Sequence, residues 1–362
     1  MFIRSTTVGA ICLSLSACGG SHDAAADGAG GENASTGGSI GESGGAASAS
    51  GASSAGGASA GGAIGAGGST STTTEASQQI MFQMDGFQVP PGGEYYKCQD
   101  FPNTFGGNIA IVQSKSVMTV GSHHLFVFRL SEGGFYGGTP NLGPGNSKGP
   151  VVDCPSGGVE FHPYVHTAQS PEEVVTYPAG IGQAFNSDET VRVMVHYLNT
   201  TSDPIDASVT ITLNYVSADQ VTNLAASMFL NALGVKVPPG TSTQGFSYQV
   251  GTDMNLLTAA GHMHRRGTHF AGTAMFPDGT TKTLYTTDTW DEPVAAAFAP
   301  AVALPSGTSI DWACTYANDT GTTLRFGESA NTNEMCIFTG TFYPAPGGAG
   351  IYDQDFSAGT TQ

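Results

Sequence analysis

The folded part of this 362-residue chain is predicted to be all-β, of the sandwich or barrel class. Short runs that alternate apolar and polar residues dominate from about residue 75 onward, and turns rich in Gly, Pro and Asn separate them. Amphipathic helical patterning is scarce. The alternating runs are 107–112, 124–130, 191–197, 207–216, 246–250, 269–276, 283–285, 310–316 and 337–343.

The N-terminus predicts an exported bacterial lipoprotein. Arg4 is the only early charge, an apolar stretch follows over residues 8–15, and Leu15-Ser16-Ala17-Cys18 matches a lipobox. Residues 1–17 would then be the signal peptide, and Cys18 would carry the lipid. Gly19 favours an outer-membrane anchor, with the body in the periplasm or on the cell surface. An ordinary signal peptide with a chance cysteine is the alternative.

Composition divides the rest of the chain. Residues 18–75 are almost entirely Gly, Ala and Ser, so we expect a disordered tether. Only residues 218–233 could form a helical turn or two, and we place a domain junction there. The predicted organisation is an N-terminal β-domain over 76–217, a C-terminal β-domain over 218–346 and a tail over 347–362.

The formal net charge of −18, with only 11 Lys and Arg, excludes a basic surface that could neutralise phosphates. Nucleic acid is therefore not an expected partner. The same shortage of lysine argues against electrostatic docking on anionic lipid, so membrane attachment would depend on the lipid at Cys18. We expect a monomer that acts on a small-molecule substrate.

Four of the six cysteines lie in the body of the chain, where export would favour disulfides. Four cysteines allow three pairings. We favour the local one, Cys98–Cys154 with Cys314–Cys336, because it keeps each bridge inside one predicted domain.

Six metal-binding side chains lie in four short segments. Five are imidazoles and one is a thioether, a soft donor that favours copper, above all Cu(I). Six donors are enough for two three-ligand sites that each keep an open position, which indicates copper redox chemistry rather than a closed structural metal. The segments are Ser122-His123-His124, Val195-His196-Tyr197, His262-Met263-His264 and Glu334-Met335-Cys336.

Strand geometry predicts where these side chains point, since residues two apart share a face. His262 and His264 should project together, and His196 should lie opposite the valine face of its strand, towards a solvent-facing site. Adjacent His123 and His124 can bind one metal only where the strand starts or bulges.

At these residues the chain resembles the copper type II, ascorbate-dependent monooxygenases, the group of peptidylglycine α-hydroxylating and dopamine β-monooxygenases. The resemblance runs from about residue 88 to 344. Besides the donor segments and Cys314, it includes Tyr96-Lys97-Cys98, Tyr177-Pro178-Ala179-Gly180-Ile181-Gly182 and Val193-Met194-Val195-His196-Tyr197.

The resemblance implies two antiparallel β-sandwich (jelly-roll) domains side by side, with two coppers separated by a solvent-filled cleft. One copper, for electron donation, would be held by His123, His124 and His196. The other, which binds O2 and faces the substrate, would be held by His262, His264 and Met335. The implied reaction is hydroxylation of a C–H bond with electrons from ascorbate or another one-electron reductant.

Some residues depart from the family pattern or lie outside it. Ala260 stands where the peptide-amidating members have an arginine that captures the substrate carboxylate, so a glycine-extended peptide is a doubtful substrate. We interpret Arg265 and Arg266 as surface charges. We interpret His162, His166 and His269 as structural or surface residues.

Two other functions are compatible with the sequence. The chain could be a non-catalytic copper-binding or surface-interaction lipoprotein with the same fold. It could also be a zinc hydrolase, but that function needs a carboxylate base beside the metal and gives Met335 no role.

Overall fold

The computed structural model describes residues 78–131, 139–154, 162–355 and 360–361. The predicted signal peptide, the lipid site at Cys18 and the tether over 18–75 fall outside the described residues and stay predictions. Within the described ranges, no helix has the length and apolar character needed to cross a membrane.

The described chain is built from β-strands. The first twelve are β1 (Gln78–Gln83), β2 (Phe87–Val89), β3 (Glu94–Phe101), β4 (Ile109–Met118), β5 (Ser122–Leu130), β6 (Val152–Asp153), β7 (Tyr164–Ala168), β8 (Glu172–Thr176), β9 (Ile181–Phe185), β10 (Thr190–Leu198), β11 (Ile205–Ala207) and β12 (Val209–Ser217). The others are β13 (Asn223–Ala232), β14 (Lys236–Val237), β15 (Gly240–Gln249), β16 (Met254–Met263), β17 (Gly267–Met275), β18 (Thr281–Thr287), β19 (Ala296–Leu304), β20 (Ser309–Asn318), β21 (Leu324–Arg325), β22 (Cys336–Tyr343), β23 (Ile351–Asp355) and β24 (Thr360–Thr361).

The all-β prediction is confirmed, because the described residues contain no α-helix and only two 3-10 turns, Ala218–Gln220 and Pro346–Gly348. Each alternating run of the sequence overlaps a strand, and the run 207–216 covers the end of β11 and most of β12. The helical expectation for 218–233 is wrong beyond its first turn, since most of that segment is β13. Its burial pattern is nearly continuous on both faces, and a short apolar run of this kind does not distinguish a strand from a helix.

One long sheet runs through both halves of the chain, in the order β1-β12-β4-β9-β13-β22-β16-β19. Its two halves meet where β9 and β13 pair in parallel. A five-stranded sheet, β6-β3-β10-β5-β7, faces the first half, and another, β18-β17-β20-β15-β24, faces the second.

Each facing pair of sheets encloses its own apolar core. The first core is filled from strands such as β5, β10 and β12, and the second from β13, β16, β20 and β22. The described residues therefore form β-sandwich layers with two cores. Because the long sheet is continuous, they belong to one compact unit, and the division into two domains at residue 218 stays a prediction.

Both disulfides follow the local pairing. Cys98 bonds Cys154, and Cys314 bonds Cys336. The first bridge fixes β3 to the segment that follows β6, and the second fixes the start of β22 to β20. The start of β22 is the point at which Met335 enters the site described next.

Candidate metal centre

A β-bulge brings His123 and His124 to the same side of the first sandwich. Along the β5–β10 pair, His124 lies opposite His196 while Ser122 lies opposite Tyr197, so His123 is the extra residue. Gly121 precedes the bulge at φ +99°, and a Cβ there would lie 2.5 Å from a methyl carbon of Ile205. The bulge that the sequence requires for two adjacent ligands is present.

His262 and His264 come from the end of β16 in the second sandwich. The ring centroids of the two histidines lie 5.3 Å apart, whereas Met263 between them is buried in the second core. The strand ends at Met263, and a turn closed by a Gly267 N–H bond to the His264 carbonyl follows. The predicted face alternation of this His-Met-His segment is confirmed.

His196 has no exposed surface, so the expected solvent-facing site is wrong. The His196 ring stacks on the Tyr96 ring of the neighbouring strand, with centroids 3.8 Å apart. The segment after β21 also closes over this region, because its Ser329 hydroxyl and Ala330 N–H both bond Glu94, which in turn contacts His196. Alternation along β10 identifies the non-valine face correctly, but it cannot show that other elements cover that face.

The five histidines form one cluster rather than two groups across a cleft. The centroid of the His123 ring lies 5.2 Å from that of His124 and 5.1 Å from that of His196, both in the first sandwich. Its distances to the rings of the second sandwich are similar, 5.0 Å to His262 and 5.6 Å to His264. The His124 and His262 rings are also 5.0 Å apart. The expected solvent-filled separation is therefore absent from the described structure, because the two sandwiches meet directly at these rings.

One three-residue group satisfies the geometry of a single ion. Ligand atoms of His123, His124 and His262 all lie within 4.8 Å of one another. This group takes two members from the triad predicted for the first metal and one from the triad predicted for the second. All three residues are buried.

Every ring of the cluster has one buried nitrogen without a hydrogen-bond partner among the described residues. A buried polar atom left unpaired costs about 1–3 kcal/mol, so five such atoms in one cluster require an explanation. A shared metal centre explains them all, because metal coordination uses the imidazole lone pair. The atoms are His123 Nε2, His124 Nδ1, His196 Nδ1, His262 Nε2 and His264 Nε2.

The opposite nitrogen of three rings does have a partner. His262 Nδ1 lies 2.6 Å from Gln169 Oε1, and His264 Nδ1 lies 3.3 Å from the Asn333 carbonyl. Both partners are acceptors at these atoms, so each Nδ1 carries the proton and each Nε2 keeps its lone pair. His196 shows the reverse tautomer, with Nε2 3.1 Å from Glu94 Oε1. Fixing the tautomer in this way is how metal-binding histidines are commonly oriented.

Electrostatics keep the cluster neutral. Burial, followed by repulsion between neighbouring imidazoles, holds the pKa values of His123, His124 and His262 well below the usual range. Burial also lowers the pKa of His264 to about 3. Neutral imidazole is the metal-binding form, so these rings are ready to coordinate near pH 7.

A half-buried carboxylate, Glu94, and a fully buried one, Glu334, brace the cluster. Burial acts to raise the pKa of Glu94, but hydrogen bonds from His196, Ser329 and Ala330 outweigh it and lower that pKa to about 2. Burial raises the pKa of Glu334 to about 7. Glu334 accepts the backbone N–H groups of His264 and Arg266 at 3.2 and 2.9 Å. It therefore holds the turn that presents His264.

Met335 enters the site from the residue before β22. Cys336, Phe338 and Phe342 point into the second core, while Met335, Ile337 and Thr339 line a cavity on the other face. The Tyr316 hydroxyl donates to the Met335 carbonyl at 2.8 Å. His124 and His262 line the same cavity, so Met335 and two histidines of the cluster face one common space.

The other histidines named from the sequence lie outside the cluster. His166 is buried between two hydroxyls, with Nδ1 2.8 Å from Ser114 Oγ and Nε2 2.9 Å from Ser116 Oγ. His269 is partly exposed and contacts Asp288 at 2.6 Å. His162 lies beside Phe128, with ring centroids 5.6 Å apart, and lines the outer part of the cavity.

The two arginines after the His-Met-His segment bind the segment between β21 and β22. Arg265 donates to the Asn331 side chain at 3.2 Å, and Arg266 donates to the Asn331 carbonyl and contacts Asp319 at 3.2 Å. Both guanidinium groups therefore have partners within the protein, and their interpretation as surface charges stays a prediction. Ala260 is buried and offers no charge.

Sequence reasoning missed the residues that orient the imidazoles, namely Gln169, Glu94 and Asn333. Trp290, whose ring lies 5.2 Å from that of His123, was missed as well. None of them is near the ligands in the sequence apart from Asn333, and no spacing rule connects them to a metal.

No protein-family model matches the sequence, and no curated protein does. Among solved structures, the crystal structure of the STIV MCP aligns with 74% of this chain and 97% of its own, at 10% identity and a TM-score of 0.29. A structure of infectious bursal disease virus, Gx strain, aligns with 76% of this chain and 82% of its own, at 11% identity and a TM-score of 0.17. Scores this low support no inference about function, and the resemblance to copper monooxygenases stays a prediction.

Proposed function

We propose that this protein is a copper-dependent monooxygenase that hydroxylates a C–H bond of a small organic substrate. The observation that carries the proposal is the cluster of five buried, neutral imidazoles, each with one unpaired nitrogen, next to a cavity that Met335 also lines. A metal centre would account for all five unpaired nitrogens at once. Two copper ions per chain would use all six donors.

The donor set fits copper better than zinc. Imidazole suits several divalent metals, but a thioether at the edge of the cluster is a soft donor and favours Cu(I). A zinc hydrolase would need a free carboxylate base. Glu94 and Glu334, the carboxylates described above, are each held by several hydrogen bonds.

The proposed reaction inserts one oxygen atom of O2 into a C–H bond of the substrate. The second oxygen atom leaves as water after taking up two protons and two electrons. Ascorbate, or another one-electron donor of the cell envelope, would supply those electrons one at a time. Bound copper would supply the one-electron redox chemistry and the activation of O2.

The protein's own residues would prepare the site for this chemistry. Gln169, Asn333 and Glu94 would fix the tautomers of His262, His264 and His196, which leaves the lone pair of the opposite ring nitrogen available to a metal. The Cys314–Cys336 bridge holds the strand that carries Met335. The aromatic walls of the adjacent cavity would limit access of water to the substrate C–H bond.

The test is copper-dependent oxygen chemistry. Copper-loaded protein should consume O2 when ascorbate and a suitable small molecule are present, and labelled O2 should place one labelled atom in the product. Met335→Ile, which keeps an apolar side chain of similar size, should remove turnover while copper still binds the imidazoles. The matched control is Met275→Ile, at an exposed methionine of β17, which should leave turnover unchanged. Normal turnover in Met335→Ile would contradict the proposal.

A second candidate function is copper binding without catalysis. The specific observation in its favour is that His123, His124 and His262 alone satisfy the geometry of one shared ion. Stoichiometric binding of a single copper without O2 consumption would identify this function.

A further inference from the structure

The cavity beside Met335 is lined by aromatic, apolar, amide and hydroxyl side chains together with three histidines. It encloses about 670 Å³ of empty space, a figure that includes the part open to solvent. Its described lining contains no Asp, Glu, Lys or Arg. Six phenylalanine and tyrosine side chains contribute to this lining: Phe126, Phe128, Tyr164, Phe229, Phe326 and Tyr352.

Most polar groups of this wall already have partners. The Tyr164 hydroxyl donates to the Met228 carbonyl at 2.8 Å, and the Tyr96 hydroxyl donates to the Glu328 carbonyl. Both polar atoms of the Gln169 amide have hydrogen-bond partners. Its Oε1 accepts from His262, and its Nε2 donates to the Gly261 carbonyl at 2.9 Å. A ligand would find these groups occupied.

Asn231 is different. Its side chain lines the cavity and is only 1% exposed, yet neither its amide nitrogen nor its amide oxygen has a partner among the described residues. An amide left in this state is costly, since both a donor and an acceptor are buried without compensation. A polar group on a bound molecule would remove that cost.

Asn231 lies on the strand next to the one that follows Met335. On the β13–β22 pair, Asn231 lies opposite Ile337, and Ile337 follows Met335 by two residues. Two strand residues span about 7 Å. An aromatic molecule held by Asn231 would therefore lie along the wall that leads to the thioether.

We propose that this cavity binds an uncharged aromatic small molecule, and that the amide of Asn231 recognises an amide or hydroxyl group on it. This inference rests on the proposed function, for which it names the substrate class. Aromatic walls favour a ring, a charged group would lose its hydration without gaining a counter-charge, and the orphan amide can donate and accept at once.

The test measures binding to full-length protein from which copper has been removed, so a failure of copper chemistry would leave the result unaffected. The four probes share a phenyl ring with a short side chain and differ in the group at its end. 2-Phenylacetamide carries an amide, phenylacetate an anion, phenethylamine a cation and n-propylbenzene no polar group. Binding would be followed by NMR titration of wild type, Asn231→Leu and Asn231→Ala. Asn223→Leu, on the same strand but outside the cavity lining, is the matched control.

The proposal predicts that phenylacetamide binds wild type at least about tenfold more tightly than either charged probe. Asn231→Leu and Asn231→Ala should each weaken phenylacetamide about tenfold, whereas Asn223→Leu should not. Propylbenzene should bind wild type and Asn231→Leu alike, which separates loss of the amide from a change of cavity shape.

Two results would overturn it. One is equal binding of phenylacetamide by wild type and both Asn231 variants, each shown to be folded by its circular dichroism. The other is a charged probe that binds wild type as tightly as phenylacetamide does. If phenylacetamide binds as predicted while ascorbate-driven turnover is absent, the cavity is a binding site but the protein is not the proposed monooxygenase. The two failures can therefore be told apart.

Discussion

Replacement of Gln169 by leucine tests whether the imidazole cluster is built for metal. Gln169 lies between the end of β7 and the start of β8 in the first sandwich, and its Oε1 accepts from His262 Nδ1 of the second, at 2.6 Å. Leucine has a similar volume but no acceptor. The variant therefore leaves the His262 N–H buried without a partner and removes the contact that fixes its tautomer.

The magnitude follows from these two losses. An unpaired buried N–H costs about 1–3 kcal/mol of folding free energy. Loss of the group that orients a metal-binding histidine typically lowers metal affinity about 10–100-fold, which corresponds to about 1.4–2.7 kcal/mol. We expect Gln169→Leu to show both effects.

Gln183→Leu is the matched control. Gln183 is also buried and also makes two hydrogen bonds, from the Tyr177 hydroxyl at 2.6 Å and to the Tyr164 carbonyl at 2.7 Å, but it contacts no histidine of the cluster. It should lose a similar amount of stability in urea unfolding and retain wild-type copper affinity. Affinity would be measured under anaerobic conditions by competition with a coloured Cu(I) chelator. Wild-type affinity in a folded Gln169→Leu variant, or equal losses in both variants, would refute the reasoning.

Two further predictions concern stability. Burial lowers the pKa of His166 from 6.5 to about 4, so the unfolded chain binds more protons than the folded one between these values. The His166 contribution is therefore complete above about pH 6.5 and falls by about 3 kcal/mol as the pH drops to 4. Urea unfolding of metal-free protein across this range should show a shallower pH dependence in His166→Asn than in wild type, and identical slopes would contradict the assignment. Replacing Cys314 and Cys336 together by alanine should lower the free energy of unfolding by about 3 kcal/mol, from the entropy of a loop of this length. The same replacement of Cys98 and Cys154, which lie farther apart in sequence, is the comparison, and only the first pair should also weaken Cu(I) binding. Equal losses of Cu(I) affinity in the two double variants would argue against a role for Met335 in copper binding.

Local patterns predicted the parts of this fold that depend on neighbouring residues. Alternation on β10 and in the His262-Met263-His264 segment separated core-facing side chains from the others, and the adjacent His123 and His124 required the bulge that β5 contains. The local disulfide pairing followed from keeping each bridge within one half of the chain.

The relation between the two halves could not be predicted in this way. It depends on the continuous sheet through β9 and β13, and the apolar run of β13 lacks a clear period, so its sequence is also compatible with a helical turn. The direct contact between the rings of His123 and His262 is a consequence of that packing. Gln169 and Glu94 reach the imidazoles only after folding, so no sequence spacing marks them.

X-ray absorption at the copper edge, combined with metal counting on the reduced, copper-loaded protein, tests the central claim most directly. The account predicts two coppers per chain in an environment of imidazole nitrogen, with one sulfur neighbour that disappears in Met335→Ile. A single bound ion with no sulfur neighbour in wild-type protein would contradict it.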